Sequence, residues 1–176
     1  MKTGWMVLVG FLAFGILGAG EGAQQQIAWI KKEYARIEKA IAQKMLPWRK
    51  HSRYDGAAVE NAELYLDENE SVRKLHCEGG SEDSAAEASY YYRRDGTLFF
   101  SYLRSANVHD CLIEIRNYFD ARGRVIRTLR NDAKACASLY IYPSAIRDPQ
   151  KGYADFCDEK SERDANEDRR VDGGRK

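Results

Sequence analysis

The string Tyr118-Phe119-Asp120-Ala121-Arg122-Gly123-Arg124-Val125-Ile126-Arg127 constrains this chain more than any other part of it. An aromatic pair enters an Asp-x-x-Gly segment, and a β-branched pair leaves it. Asp120 can hydrogen-bond the backbone ahead of it. Gly123 can take the left-handed position that ends a three-residue hairpin loop with a bulge. The string therefore predicts two antiparallel strands joined by a tight turn. Tyr65 to Lys74 aligns with it without a gap, and Tyr91 to Leu98 is a shorter copy.

Three hairpins predict about six strands. Ala62 to Leu66 and Val72 to Cys77 flank the first turn. Ala88 to Arg94 and Thr97 to Arg104 flank the second, and Cys111 to Phe119 and Arg124 to Asn131 flank the third. In the middle copy Asp95-Gly96 suits a two-residue type I′ turn. In the first copy Glu70 stands where Gly123 would be, so a looser turn with Asn69 left-handed is expected. Alternation places Ile113, Ile115 and Phe119 on one face, joined by Val125 and Leu129 if Asp120 opposes Arg124. That face is expected to be the core, with the helix stripe as its cover. The other, with Glu114, Arg116, Tyr118 and Ile126, is expected to meet water. The middle hairpin is aromatic on both faces, with Tyr92 beside Phe99 on one and Tyr91 beside Phe100 on the other. Large exposed apolar patches are uncommon in monomers, so a cover is expected on its second face.

From Gln24 to Met45, Ile27, Ile30, Tyr34, Ile37, Ile41 and Met45 recur at helical spacing. They form one apolar stripe, and Pro47 stops the helix. The remaining face mixes both charge signs, which favours packing on the chain's own sheet over a membrane surface. Trp48 to Gly56 reads as a basic, irregular connection. Leu139 to Tyr142 is a candidate last strand. The charged run from Asp158 onward has no apolar periodicity and reads as a disordered tail.

The N-terminus has the form of a secretory signal. Lys2 precedes the apolar run Trp5 to Leu17, and Gly18-Ala19-Gly20 supplies small residues for cleavage. The run is shorter than the ~20 residues of a spanning helix, so no stable membrane anchor is expected after cleavage. The boundaries that follow are a signal peptide over 1–20, one domain over 21–157 and a tail over 158–176. Secreted or periplasmic residence is expected. Four cysteines in an exported chain point to disulfides. In a meander, Cys77, Cys111 and Cys136 come to the end opposite the turns. The favoured pairing is Cys77–Cys111 with Cys136–Cys157. Cys111–Cys136 with Cys77–Cys157 is the other arrangement weighed.

A net charge of +1, with basic residues interleaved among acidic ones, gives no electrostatic footprint for nucleic acid. His76 and His109 lie near cysteines but lack the close ligand pairs of a zinc site, so no metal and no cofactor are expected. His76 and Cys77, as strand neighbours, point to opposite faces. No nucleophile elbow, zincin helix or phosphate loop is present. Glu114 with Arg116 reads as an ordinary surface pair. These absences lean away from an enzyme.

The string Tyr118-Phe119-Asp120-x-x-Gly123-x-x-Ile126-Arg127 resembles units of small secreted bacterial proteins with an N-terminal helix followed by an antiparallel meander. It is also similar to the tyrosine-aspartate repeats of large bacterial surface proteins. The resemblance covers the hairpin region and implies no activity or catalytic residue.

The expected fold is α+β: one long N-terminal helix packed on a curved antiparallel meander of about six strands, disulfide-stabilised. The expected function is a non-catalytic exported binding or inhibitor module. A protein or peptide partner would dock on Tyr91, Tyr102, Tyr118 and Arg116, since tyrosine brings contact area at low entropic cost. One alternative is a small cell-envelope hydrolase with a pocket near His109 or Glu114 in a cupped sheet. Another is an assembly factor docking through an exposed Ile27–Met45 stripe.

Overall fold

The computed structural model describes residues 19–54, 58–132 and 139–155. The signal-like run before residue 19, Cys136, Cys157 and the charged tail lie outside them. Among the described residues, helix α1 (Ala19–Ala42) precedes seven strands: β1 (Trp48–Tyr54), β2 (Val59–Leu66), β3 (Val72–Gly80), β4 (Ser84–Tyr92), β5 (Leu98–Asn107), β6 (Leu112–Phe119) and β7 (Val125–Asp132). They form one sheet in the order β1 to β7, each strand antiparallel to the next. The α+β meander is as expected, with one strand more. No helix among the described residues is long and apolar enough to cross a membrane.

The additional strand is the segment read as a basic connection. Trp48 to Tyr54 pairs with Tyr65 to Val59, and Lys50 Nζ donates to Glu63 Oε1 at 3.1 Å. An edge strand has one neighbour and mostly solvated side chains, so it carries no apolar alternation to reveal it. The strand expected at Leu139–Tyr142 does not form.

The three turns are alike. The N–H of Asp67, Arg93 and Asp120 donates to the carbonyl four residues on, and that of Glu70, Gly96 and Gly123 donates back to the first residue of its turn. The last three residues are left-handed, at φ 58°, 82° and 70°. The middle turn is therefore not type I′, which would also need Asp95 left-handed. The left-handed residue of the first turn is Glu70, not Asn69. Asp67 Oδ1 caps the N–H groups of Asn69 and Ser71. Asp120 Oδ1 does the same for Arg122 and Arg124. A fourth turn of this kind, capped by Asn107 with Asp110 left-handed, joins β5 to β6 at the opposite end.

Each of the three hairpins carries a bulge after its turn. Register shifts at Tyr65/Leu66, Tyr91/Tyr92 and Tyr118/Phe119 leave Arg73, Phe99 and Ile126 as the extra residues. All three turn toward α1. Arg73 Nη2 donates to Glu33 Oε1 at 2.7 Å. The Phe99 ring meets Trp29 edge-on at 5.4 Å. Ile126 packs beside Ile30, Ile37, Tyr91, Phe100 and Tyr118.

The bulges overturn two face assignments. Tyr91 pairs with Phe100 as expected, but Tyr92 pairs with Leu98, and Phe99 joins Phe100 on the helix side. Leu129 pairs with Arg116, not with the Ile115 face, and both Val125 and Leu129 are exposed. The face of Tyr118 and Ile126, expected to meet water, is the one α1 covers. Ile113, Ile115 and Phe119 lie on the opposite, back face. There Tyr90, Tyr92, Leu75 and Leu103 form a second core beneath Ile141, Tyr142, Ile146 and Tyr153. Tyr90 Oη and Tyr92 Oη donate to the carbonyls of Pro143 and Ile146, and Ser101 Oγ donates to that of Ser144. The C-terminal segment is thus the second cover that the doubly aromatic hairpin required.

The stripe of α1 is spent inside the molecule. Ile30 and Ile37 are buried, each contributing about 1.5–3 kcal/mol before entropy. Met45 lies beyond the helix and is exposed. Lys44 at φ 56° makes the stop, with Met45 N–H reaching Ala40 O and Lys44 N–H reaching Ile41 O. This is a Schellman closure with lysine where glycine is usual. The chain has already left the helix before Pro47.

The cysteine assignment is corrected. Cys77 is a free thiol buried in the back core, where burial pushes it up to about 12. It sits within β3 on the face opposite His76, not at a strand end. Each full pairing of the four cysteines needs Cys77, so neither arrangement weighed above holds. No disulfide joins two described residues. Cys111 is itself disulfide-bonded.

Candidate functional site

Antiparallel register arranges the helix-side face in rows across the strands. The row nearest the turns runs Trp48, Tyr65, Lys74, Tyr91, Phe100, Tyr118, Arg127. Its centre lies under α1. Tyr34 packs edge-on against Tyr91 and Phe100, while Lys74 Nζ and Tyr91 Oη both donate to Glu38 Oε1. The next row is polar, with Glu63, His76, Ser89, Tyr102 and Arg116. The third holds Asn61, Glu78, Glu87, Arg104 and Glu114. No contact of α1 among those above reaches this third row.

The sequence-predicted binding residues divide accordingly. Tyr91 and Tyr118 are buried beneath α1 and offer no docking surface. Tyr102 and Arg116 lie beyond it. Tyr102 Oη donates to Glu114 Oε1 at 2.8 Å, and burial with this carboxylate pushes the phenol up to about 12. The Arg116 guanidinium lies 5.5 Å from the centre of the Tyr102 ring.

One constellation resembles a catalytic relay. His76 Nδ1 is 2.9 Å from Ser89 Oγ, and His76 Nε2 is 3.7 Å from Glu78 Oε2. Serine, histidine and carboxylate stand in the order of a nucleophile, base and orienter. The geometry of attack is missing, because Ser89 is only 6% exposed. The histidine–carboxylate separation also exceeds a hydrogen bond. His76 and Ser89 face each other directly across β3 and β4. They act as a cross-strand polar ladder that continues through Glu78 to Asn61, whose Nδ2 donates to Glu78 Oε1 at 3.0 Å.

Beyond this ladder lies a cleft of about 310 Å³. Gly79, Gly80, Ala85, Ala86 and Ala106 line it with little side chain, and Asn61, Glu78, Glu87 and Arg104 supply its polar groups. Smallness is obligatory at Gly80, where a Cβ would stand 2.7 Å from the carbonyl oxygen of Ser84. Glu78 and Glu87 face each other across the strands. Like charges so placed are destabilising, and flanking groups offset this: Asn61 opposite Glu78, and Arg104 3.7 Å from Glu87. The cleft thus presents donors and acceptors over a floor close to the backbone.

Sequence reasoning passed over this floor. Its available signal was the run of small residues on either side of the β3–β4 turn. His109 and Glu114, expected beside any catalytic pocket, do not line the cleft. Among the described residues no cluster of His, Cys, Asp and Glu is placed to hold a metal ion. Comparison with protein-family models, curated proteins and solved structures finds no match.

Proposed function

We propose that this chain is an exported, non-catalytic binding module that receives an extended protein or peptide segment across the cleft end of its helix-side face. Export rests on Lys2, the Trp5–Leu17 apolar run and the small residues after it. The observation that carries the binding reading is the cleft of about 310 Å³ beyond the helix contacts, with small residues beneath and both charge signs around it. Pockets that orient a ligand combine such accessible surface with a few placed polar groups. Of the tyrosine surface first expected, Tyr102 and Arg116 remain available beside it.

Titration of the isotopically labelled chain with pooled extended peptides tests this reading. Shifts are expected at Asn61, Glu78, Glu87 and Arg104, and Arg104→Glu should remove them. Shifts confined to α1 or β1, or shifts insensitive to Arg104→Glu, would sink it.

A small envelope hydrolase is the second reading; the Ser89–His76–Glu78 order is the one arrangement that suggests it, and the burial of Ser89 weighs against it. It requires an activated phosphonate to label Ser89; a chain that stays unlabelled at that residue removes it.

A further inference from the structure

Six charged side chains form an open network where α1 meets the first two hairpin turns. Arg36 pairs with Glu33 at 2.7 Å, and Glu33 with Arg73 at 2.7 Å. Arg73 approaches Asp67, Asp67 approaches Arg94, and Arg94 pairs with Glu68 at 3.1 Å. Three cations alternate with three anions, so the network carries no net charge. Its two long links share one atom. Asp67 Oδ2 is 3.6 Å from Arg73 Nη1 and 3.8 Å from Arg94 Nε, both beyond hydrogen-bonding distance. The Asp67 side chain is 3% exposed, and Oδ2 has no hydrogen-bond partner among the described residues.

The equivalent oxygen in the third hairpin shows what is unusual here. Asp120 Oδ2 accepts from Arg124 Nε and Nη2, both at 2.8 Å. The residue at Arg124's position in the first hairpin is Ser71, which is too short to do this. Both aspartates cap their turns through Oδ1, so turn chemistry does not account for the orphaned Oδ2.

Beside Asp67 lies a pocket of about 40 Å³, bounded by Arg36, Arg73, Arg94, Glu68 and the apolar Ile37 and Leu46. One water needs roughly 10–15 Å³ of such space and two or more polar partners. Polar contacts longer than about 3.5 Å are where bridging water is to be sought. We propose that this pocket is a hydration site, in which ordered water donates to Asp67 Oδ2 and accepts from Arg73 Nη1 or Arg94 Nε. The water bridges the two long links of the network and couples α1 to the first two turns. An anion fits less well, because the buried carboxylate oxygen needs a donor.

A crystal structure of the full chain, soaked in bromide, and water-to-protein cross-relaxation in solution test the site. Expected are a water within about 3 Å of Asp67 Oδ2, no bromide in the pocket, and a water cross-peak at the Arg73 guanidinium. Ser71→Arg recreates the Asp120–Arg124 pairing and should abolish that cross-peak while leaving amide signals of the back core unchanged. A direct bond from Arg73 or Arg94 to Oδ2, bromide in the pocket, or a cross-peak that survives in a folded Ser71→Arg chain each overturns the proposal. If Ser71→Arg fails to fold, the wild-type crystal and solution measurements still decide it.

Discussion

The two ends of the helix-side face use the same strands for opposite purposes. At the turn end, Tyr91, Phe99, Phe100 and Tyr118 are buried under Ile30 and Ile37. At the other end, the same strands continue as Glu87, Arg104 and Glu114, and β4 and β5 run on into alanines beside the glycines of β3. The turn end repeats: three bulges deliver Arg73, Phe99 and Ile126 to one helix. The cleft end does not repeat. Periodic residues here build the core, and the cleft begins where the period stops.

The largest effect expected from breaking this contrast is at the middle bulge. Phe99→Ala should cost about 3–5 kcal/mol, because it empties a fully buried site. Urea denaturation measures it, and a loss below about 1 kcal/mol would show that the bulge does not anchor α1. Arg73→Ala comes next, at about 3 kcal/mol, since it strands Asp67 and Glu33 without their shared cation. Arg73→Met strands the same two carboxylates, so it should recover only the packing part of that loss.

Acid should act on carboxyls at the turn end and in the row beside it. The Arg36 guanidinium beside Glu33, with Arg73 beyond it, holds that carboxyl below its usual 4.5 against the opposing effect of burial. At Glu63 burial acts to raise the value, but the Tyr65 hydroxyl and the Lys50 ammonium outweigh it and the result is again below 4.5. Depressed folded values mean that these groups stabilise the fold above the ordinary carboxylate range. That stabilisation is lost as pH falls through the folded values. Urea midpoints should therefore drop between about pH 5 and pH 3, and Glu33→Gln should flatten that drop. An unchanged slope in the variant would remove Glu33 from the account.

Smaller effects are expected at the turns and the cleft. Glu70→Gly should stabilise by about 0.5 kcal/mol, because relief of a left-handed L-residue exceeds the entropy cost of glycine only slightly. Thermal melts of Glu70→Gly beside Gly123→Ala would show opposite signs if the turns are equivalent. Arg104→Ala should change stability by no more than about 0.5 kcal/mol while weakening peptide-induced shifts in the cleft. Equal losses of stability at Arg104 and Phe99 would erase the distinction between the two ends.

Much of the framework was legible before any coordinates. Helical spacing of Ile30 and Ile37 marks the packed stripe, and Asp120 with Gly123 marks the turn. The bulges were not legible in full, because a single extra residue reverses the face of everything after it. This is why Leu129 lies beside Arg116 and why Phe99 departs from Tyr92. β1 escaped notice for want of alternation, and the cleft because glycine and alanine carry no chemistry of their own to find. The free state of Cys77 was hidden for a different reason: an even cysteine count says nothing about depth within a strand.

Sequence alone determined the local structure: a helix with one apolar stripe, three related turns, and antiparallel strands between them. Those features depend on neighbours within a few residues, through backbone preference and side-chain period. Tertiary structure decided which face α1 covers, that residues 139–155 cover the other, and where the helix contacts stop. Each depends on which of two amphipathic surfaces gains more by leaving water. That balance is set between segments far apart in the chain, and no local pattern encodes it.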